Sequence, residues 1–258
     1  AYDRDKTQSY GGTTALINAS LGEDANNGIA AALGYPAGTK ISRDQWNGYH
    51  VPNEYVANFD LVGVDWEATS GFGYNREKSD RRAFFYNIGG VEAYDKANVN
   101  SGWRCWKFNS RASDGTLYST DNYSIFSSAD FPMFRLAEMY LIYAEAQARL
   151  DGGTTTDSKA MGYIKELRDR AGMTTPSSIN LDFILKERAC ELMWEGHRRT
   201  DLIRYGYFTA MSFPWPYKGG IPDGKVALPS YRTVYPLLQS DLSENSNLVQ
   251  NTGYQSNN

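Results

Sequence analysis

The segment from Phe131 to Phe208 constrains this chain most, because helical periodicity is written into it three times in succession. Its first stretch, about Phe134 to Leu150, sets Leu136, Met139, Tyr140, Tyr143, Ala144 and Gln147 on one face of an α-helix. Asp130 and Pro132 stand just upstream as start signals, and Asp151-Gly152-Gly153 closes the stretch with residues free to turn left-handed. The second runs from about Ser158 to Ala171 with the stripe Ala160, Tyr163, Ile164, Leu167 and Ala171. Thr156 or Asp157 can cap its start and Gly172 its end. A link this short folds the pair into an antiparallel hairpin of tetratricopeptide size. A third helix starts near Leu181 behind Asn180, with Ile184, Leu185, Ala189, Leu192 and Met193 inward. Gly196 bends it before Thr200 to Tyr205. One hairpin cannot bury its own apolar face, so either the front half covers these helices or further repeats do.

Residues 1–130 read differently. Gly11-Gly12, Gly71-Phe72-Gly73 and Gly89-Gly90 punctuate a loop-like stretch rich in Gly, Asn and Ser. Short strands are expected at Arg82 to Ile88 and Arg104 to Phe108, and a short helix near Tyr55 to Leu61. Pro214, Pro216, Pro222, Pro229 and Pro236 exclude long helices from the tail, and Asn245 to Asn258 is polar enough to lie along a surface. The expected fold class is mostly α: a tetratricopeptide-like hairpin plus a long helix, packed with long irregular loops and minor β. The expected organisation is a loop- and aromatic-rich segment 1–130, facing ligand, and a helical region 131–258 with an irregular tail.

Several chemistries lack their residues. The net charge is −4 with no run of Lys or Arg, which argues against nucleic acid. No apolar run reaches the length of a spanning helix. His50 and His197 are far apart and no zinc spacing surrounds them, so no metal is expected. There is no nucleophile elbow and no phosphate-binding glycine loop. Two cysteines make no disulfide framework, and Cys190, among helical residues, reads as a buried inert thiol. Glu187, Glu191 and Glu195 recur every four residues. A glycosidase needs two carboxyls about 5 to 10 Å apart, one with a raised pKa. Here Arg188, Arg198, Arg199 and Arg204 are interleaved, which favours ion pairs holding helices and loops together. Arg135 with Glu138, and Glu145 with Arg149, read as struts between helix and loop.

The remaining signal is aromatic. Of 258 residues 14% are aromatic, 19 of them Tyr. Tyr10, Tyr35, Trp46, Tyr49, Tyr55 and Trp66 sit in Gly- and Asn-rich segments. A sugar ring offers a flat C–H face for stacking and a rim of hydroxyls for Asn, Asp, Gln and Arg. By analogy with base stacking each platform contributes about 1–3 kcal/mol. Trp46, flanked by Gln45, Asn47 and Tyr49, is the first candidate. The expected ligand-binding set is Trp46, Tyr49, Tyr35, Tyr10, Trp66 and Asn47, and the competing reading is that these rings fill a loop-rich core.

The helices also carry phrases. Arg135, Ala137, Glu138, Ala144, Glu145 and Ala146 form one. Arg168, Arg170, Ala171 and Gly172 form a second, and Glu187, Arg188, Glu191, Leu192, Glu195, Gly196, His197 and Arg198 a third. Asp201, Leu202, Arg204 and Gly206 follow, then Gln250, Asn251, Gly253 and Tyr254, with Asp80-Arg81-Arg82 upstream. In wording and spacing they resemble the C-terminal half of the SusD/RagB family of surface glycan-binding lipoproteins of Bacteroidetes. Residues 1–75 match only loosely, and Ser246 and Thr252 stand where the family commonly has proline. The resemblance implies non-catalytic capture of an oligosaccharide on the extracellular face of the outer membrane. It also implies a SusC-like TonB-dependent transporter as partner, and a lipid anchor that this chain does not include. No cofactor is implied, with calcium left open. The alternatives are a glycan-active hydrolase and a protein-binding scaffold without sugar affinity. Family members are about twice this length, so the chain is expected to be a C-terminal portion.

Overall fold

The computed structural model describes residues 12–42, 44–88, 102–111, 126–127 and 129–254. Residues up to Glu195 form one compact unit and those from Gly196 a second.

The first unit opens with two helices, α1 (Gly12–Ser20) and α2 (Glu23–Ala32), where the sequence reads as loop. Neither has a broad apolar stripe. Ile17 and Ala19 in α1, and Ala25, Ile29 and Ala30 in α2, are the apolar residues they bury. Tertiary bonds compensate: the Asn26 side chain accepts from the backbone N–H of Ile41 at 2.6 Å and of Ser42 at 3.3 Å. Packing here overrides weak propensity.

A single turn, α3 (Asn53–Val56), stands slightly upstream of the helix expected at 55–61. Strands β1 (Ser70–Gly71), β2 (Phe85–Ile88) and β3 (Trp103–Cys105) form an antiparallel sheet in that order. Phe85 lies opposite Cys105 and Asn87 opposite Trp103. Both longer strands fall where expected but are shorter. Phe85, Trp103 and Cys105 pack with Val51, Val56 and Phe59, and with Cys190 and Met193. Phe59 meets Phe85 edge to face at 4.8 Å.

Helix α4 (Leu136–Leu150) leads through β4 (Thr154–Thr155) to α5 (Ser158–Ala171), then through β5 (Ile179–Asn180) to α6 (Leu181–Glu191). Strands β4 and β5 pair antiparallel, tying the hairpin link to the entry of α6. Asp157 caps α5, accepting from the N–H groups of Lys159 at 3.1 Å and Ala160 at 2.8 Å, and Gly172 closes it with φ 75°. Of the expected stripes, Ala160, Ile164, Leu167 and Ala171 of α5 are buried with Tyr163 half-buried, and Ile184, Leu185 and Ala189 of α6 are buried, as are Leu192 and Met193 just past its end. The stripe of α4 differs. It buries Ala137, Leu141, Ala144, Glu145 and Ala148, while Leu136 and Met139 are exposed, as are Met133, Phe134 and Ile142. Small side chains let α5 and α6 approach closely, so the packed face is marked by three alanines around Leu141.

The bend expected at Gly196 is a break: α6 ends at Glu191 and α7 (Arg198–Arg204) begins afresh in the second unit. That unit holds two short 3₁₀ turns, Lys218–Gly220 and Ser230–Thr233, and a short helix α8 (Gln239–Glu244). Its prolines leave little room for more. Ring stacking replaces helix packing, with Tyr207 on Phe213 at 5.0 Å and Phe208 on Trp215 at 5.6 Å.

Candidate functional site

Helix α1 ends at Ser20, and the carbonyls of a final helical turn have no partner within the helix. Loop 44–49 supplies partners here. The Asn18 carbonyl accepts the N–H of Trp46 at 2.9 Å. Ala19 accepts those of Gly48 at 2.9 Å and Tyr49 at 2.8 Å, and Leu21 accepts that of Asn47 at 3.2 Å. The Asn18 side chain takes the N–H of Asp44 at 3.1 Å. Four consecutive amides, 46 to 49, are thus tied to the end of α1 and the turn after it, so the loop is held by backbone.

On this frame Trp46 is 36% exposed and Tyr49 43%, enough for a ring face to meet solvent. The indole N–H of Trp46 donates to Asp44 Oδ2 at 2.8 Å, fixing the ring plane. Tyr49 stands edge-on to Trp194 at 6.2 Å. Asn47 lies between them with φ 51°, a left-handed conformation that asparagine tolerates better than most residues. Its Oδ1 accepts from Arg104 Nε at 2.7 Å. Arg104 is buried, and desolvation pushes its guanidinium down to about 10. A Cβ on Gly22 would meet the Asn47 side chain at 2.9 Å, so glycine there makes room for it.

The other expected residues lie elsewhere. Tyr35 is half-buried beside the cluster of Leu21, Ala25, Ile29 and Ile41, with the Arg111 guanidinium 5.0 Å from its ring centre. Trp66 packs edge to face on buried Trp103 at 6.3 Å, in the cluster of Phe85 and Cys105. Tyr55 turns its hydroxyl to the Ala189 carbonyl at 2.8 Å. Tyr10 lies outside the described residues. Trp46, Asn47 and Tyr49 therefore come together, and Tyr35 and Trp66 pack on two different cores. Asp44, Asn18 and Arg104, which orient the loop, are not distinguished by sequence, since none sits in a periodic pattern.

The glutamate ladder is the second polar cluster. Glu187, Glu191 and Glu195 are all buried. Glu187 receives Arg82 at 2.5 Å and Arg168 at 2.8 Å. Glu191 receives Arg135 at 2.9 Å and Arg170 at 2.6 Å, with Arg82 at 3.4 Å. Glu195 receives Arg135 at 2.6 Å and also Lys107. Asp80 grips Arg82 at 2.7 Å, and Asp60 takes Arg168 at 3.0 Å and Lys186 at 2.8 Å. Burial pushes the Glu191 carboxyl up, but hydrogen bonds from Arg170 and Arg135 more than reverse this and hold it at about 2. These partners come from loops and from α5. Arg204 pairs instead with Asp201 at 2.9 Å, and Arg199 lies over the rings of Phe208 and Tyr235 at 4.4 and 4.3 Å. Glu145 and Arg149 pair at 2.9 Å one turn apart within α4, and so not between helix and loop as expected.

The SusD family model matches residues 39–254. This chain belongs to the SusD family. The starch-binding protein SusD of Bacteroides thetaiotaomicron is 36% identical over 180 residues, covering 68% of this chain and 31% of that protein. The SusD-like protein P38 of Formosa agariphila is 34% identical over 133 residues, 47% of this chain and 24% of it. Among solved structures, surface glycan-binding protein A from Bacteroides uniformis superposes with TM-score 0.55 at 20% identity, covering 83% of this chain and 42% of that one. This chain thus spans about a third of the length of the starch-binding relative. Arg135, Arg168, Arg170, Glu187, Glu191 and Glu195, from the phrases at 135–146, 168–172 and 187–198, build the ion network, so these charged positions mark the network and not the exposed rings.

Proposed function

We propose that this chain is part of a SusD-like surface protein that holds an oligosaccharide without chemistry and hands it to a TonB-dependent transporter in the outer membrane. One observation carries the sugar-binding part: Trp46 and Tyr49 are exposed on a loop whose amides are already committed to α1. A ring held in place loses little freedom when it stacks, so more of the contact energy appears as affinity. Asn47, between them, is tied to Arg104 and holds the loop's shape. The name of the starch-binding relative supports an α-glucan as the first ligand to try. Non-catalytic capture is favoured because Glu191 is held far below the range of a general acid, which needs a raised pKa.

Titration calorimetry with maltooligosaccharides and a panel of other glycans tests this reading. Binding without release of shorter products, lost on Trp46→Ala, is the expected result. Release of products that depends on Glu195 would replace it with hydrolysis. For the transporter, co-purification from outer membranes of the native host is the test, and a preparation with no TonB-dependent partner would remove that part.

A further inference from the structure

The exit from α6 is strained at one residue. The N–H of Glu195 donates to the Leu192 carbonyl at 3.1 Å, closing a turn whose third residue is Trp194. Trp194 has φ 61°, in the left-handed region that glycine or asparagine ordinarily fills at that position. A bulky side chain there is a backbone outlier, kept only where its surroundings dictate it. Here they do. The Lys107 ammonium donates to the carbonyls of Glu191 at 2.8 Å and Met193 at 3.0 Å, and to the Glu195 carboxylate, so it grips the chain on both sides of Trp194. Arg135 adds bonds to the Glu191 carbonyl at 2.8 Å and to the two Glu195 oxygens at 2.6 and 2.9 Å. The indole placed in this way is half-buried against the cluster that includes Phe85 and Trp103. It meets Tyr49 edge to face at 6.2 Å, with the ring planes at 73°. Backbone bonding fixes where Tyr49 stands but not how its ring turns. The Tyr49 hydroxyl makes no hydrogen bond among the described residues, and Trp194 is its one ring contact among them.

We propose that Trp194 is a positioning residue of the glycan site: its indole sets the plane of the Tyr49 ring, and the strained turn gripped by Lys107 and Arg135 is what places it there. An edge-to-face pair narrows the orientations open to Tyr49, so less freedom is lost when a sugar stacks on it. The inference rests on the sugar reading of the Trp46 loop and adds to it a residue from the end of α6.

Titration calorimetry on the full chain tests it, with maltoheptaose or, if the parent chain prefers another glycan of the panel, with that one. Thermal melts accompany each variant. Trp194→Leu keeps an apolar side chain on the cluster but removes the ring, and is expected to weaken binding on the order of fivefold. Trp194→Phe restores a ring edge and is expected to stay within about twofold of the parent. In a Tyr49→Ala background Trp194→Leu is expected to cost less than about twofold more, because its effect passes through Tyr49. If Trp194→Leu does not melt cooperatively, Trp194→Gly, suited to a left-handed turn, takes its place. If Tyr49→Ala alone abolishes binding, the Phe rescue decides. No glycan bound by the parent would overturn the sugar reading and this inference with it. Binding by the parent that is unchanged in Trp194→Leu, not restored in Trp194→Phe, or weakened as much without Tyr49 as with it, would overturn this inference alone.

Discussion

The glutamate ladder and the Trp46 loop both join loop to helix through polar groups, yet one is closed and the other open. In the ladder each glutamate meets two or more cations, and Glu187, Glu191 and Glu195 are all buried. In the loop, polar groups are likewise satisfied, but by backbone, and this leaves Trp46 and Tyr49 facing solvent. The difference separates two ways of using polar side chains. A ladder that satisfies itself gives shape, while a loop satisfied from behind gives a surface with capacity left over.

The comparison breaks first at Glu187. Removing Glu187 takes from Arg82 and Arg168 the buried carboxylate they share, leaving Arg82 to Asp80 and Glu191 and Arg168 to the half-exposed Asp60, and breaking a buried pair costs about 3–5 kcal/mol. Glu187→Ala is therefore expected to lower unfolding free energy by that amount in denaturant titration. A loss under 1 kcal/mol would mean that the ladder is not what ties loop 80–82 to α6.

Glu191 sharpens the same point through pH. Its carboxyl sits at about 2 in the fold against an ordinary 4.5. A depressed carboxylate stabilises fully above its unfolded value and loses that contribution as pH falls through the folded one. The window is therefore from about 4.5 down to about 2, and the amount at stake is roughly 3 kcal/mol. Glu191→Gln should flatten stability across that window, and an unchanged acid profile would show that another group governs acid unfolding.

Legibility follows the same divide. Helix α5 is readable to the residue because periodicity, an Asp157 cap and Gly172 all agree. The inward face of α4 is not, because three of its five buried residues are alanine while Leu136, Met139 and Ile142 point outward. Helices α1 and α2 escape because they are short, rich in Asn, Thr and Gly, and held by tertiary bonds such as those of Asn26. The ladder's carboxylates are legible, but their partners are not. Arg82 and Lys107 lie about 80 or more residues away in sequence, and no local pattern reaches that far. For the loop, Trp46 stands out by composition, whereas the frame from Asn18 to Leu21 emerges only when α1 is folded.

On the open side the expected effect moves from stability to affinity. Trp46→Ala removes one stacking face, worth about 1–3 kcal/mol by analogy with base stacking. The ring is partly exposed, so unfolding free energy should hardly change. Calorimetry with the ligand found for the parent chain, paired with a thermal melt, separates the two. Affinity unchanged with the melt unchanged would make Trp46 a bystander, and a large fall in melting temperature would make it a core residue.

The smallest effect is expected at a pair that resembles the ladder in type and differs in setting. Lys165 and Asp169 meet one turn apart on α5, but both are more than half exposed. Water screens their attraction, and holding two long side chains together costs entropy, so exposed pairs contribute about 0–1 kcal/mol. Lys165→Ala should fall within that range and should lose its effect in high salt. If it matched Glu187→Ala, burial would not be what distinguishes the ladder, and charge pairing anywhere on the helices would suffice. A near-silent result ties the ladder's strength to desolvation and multiple hydrogen bonds, which the Arg82–Glu187–Arg168 bridge has and the exposed pair lacks.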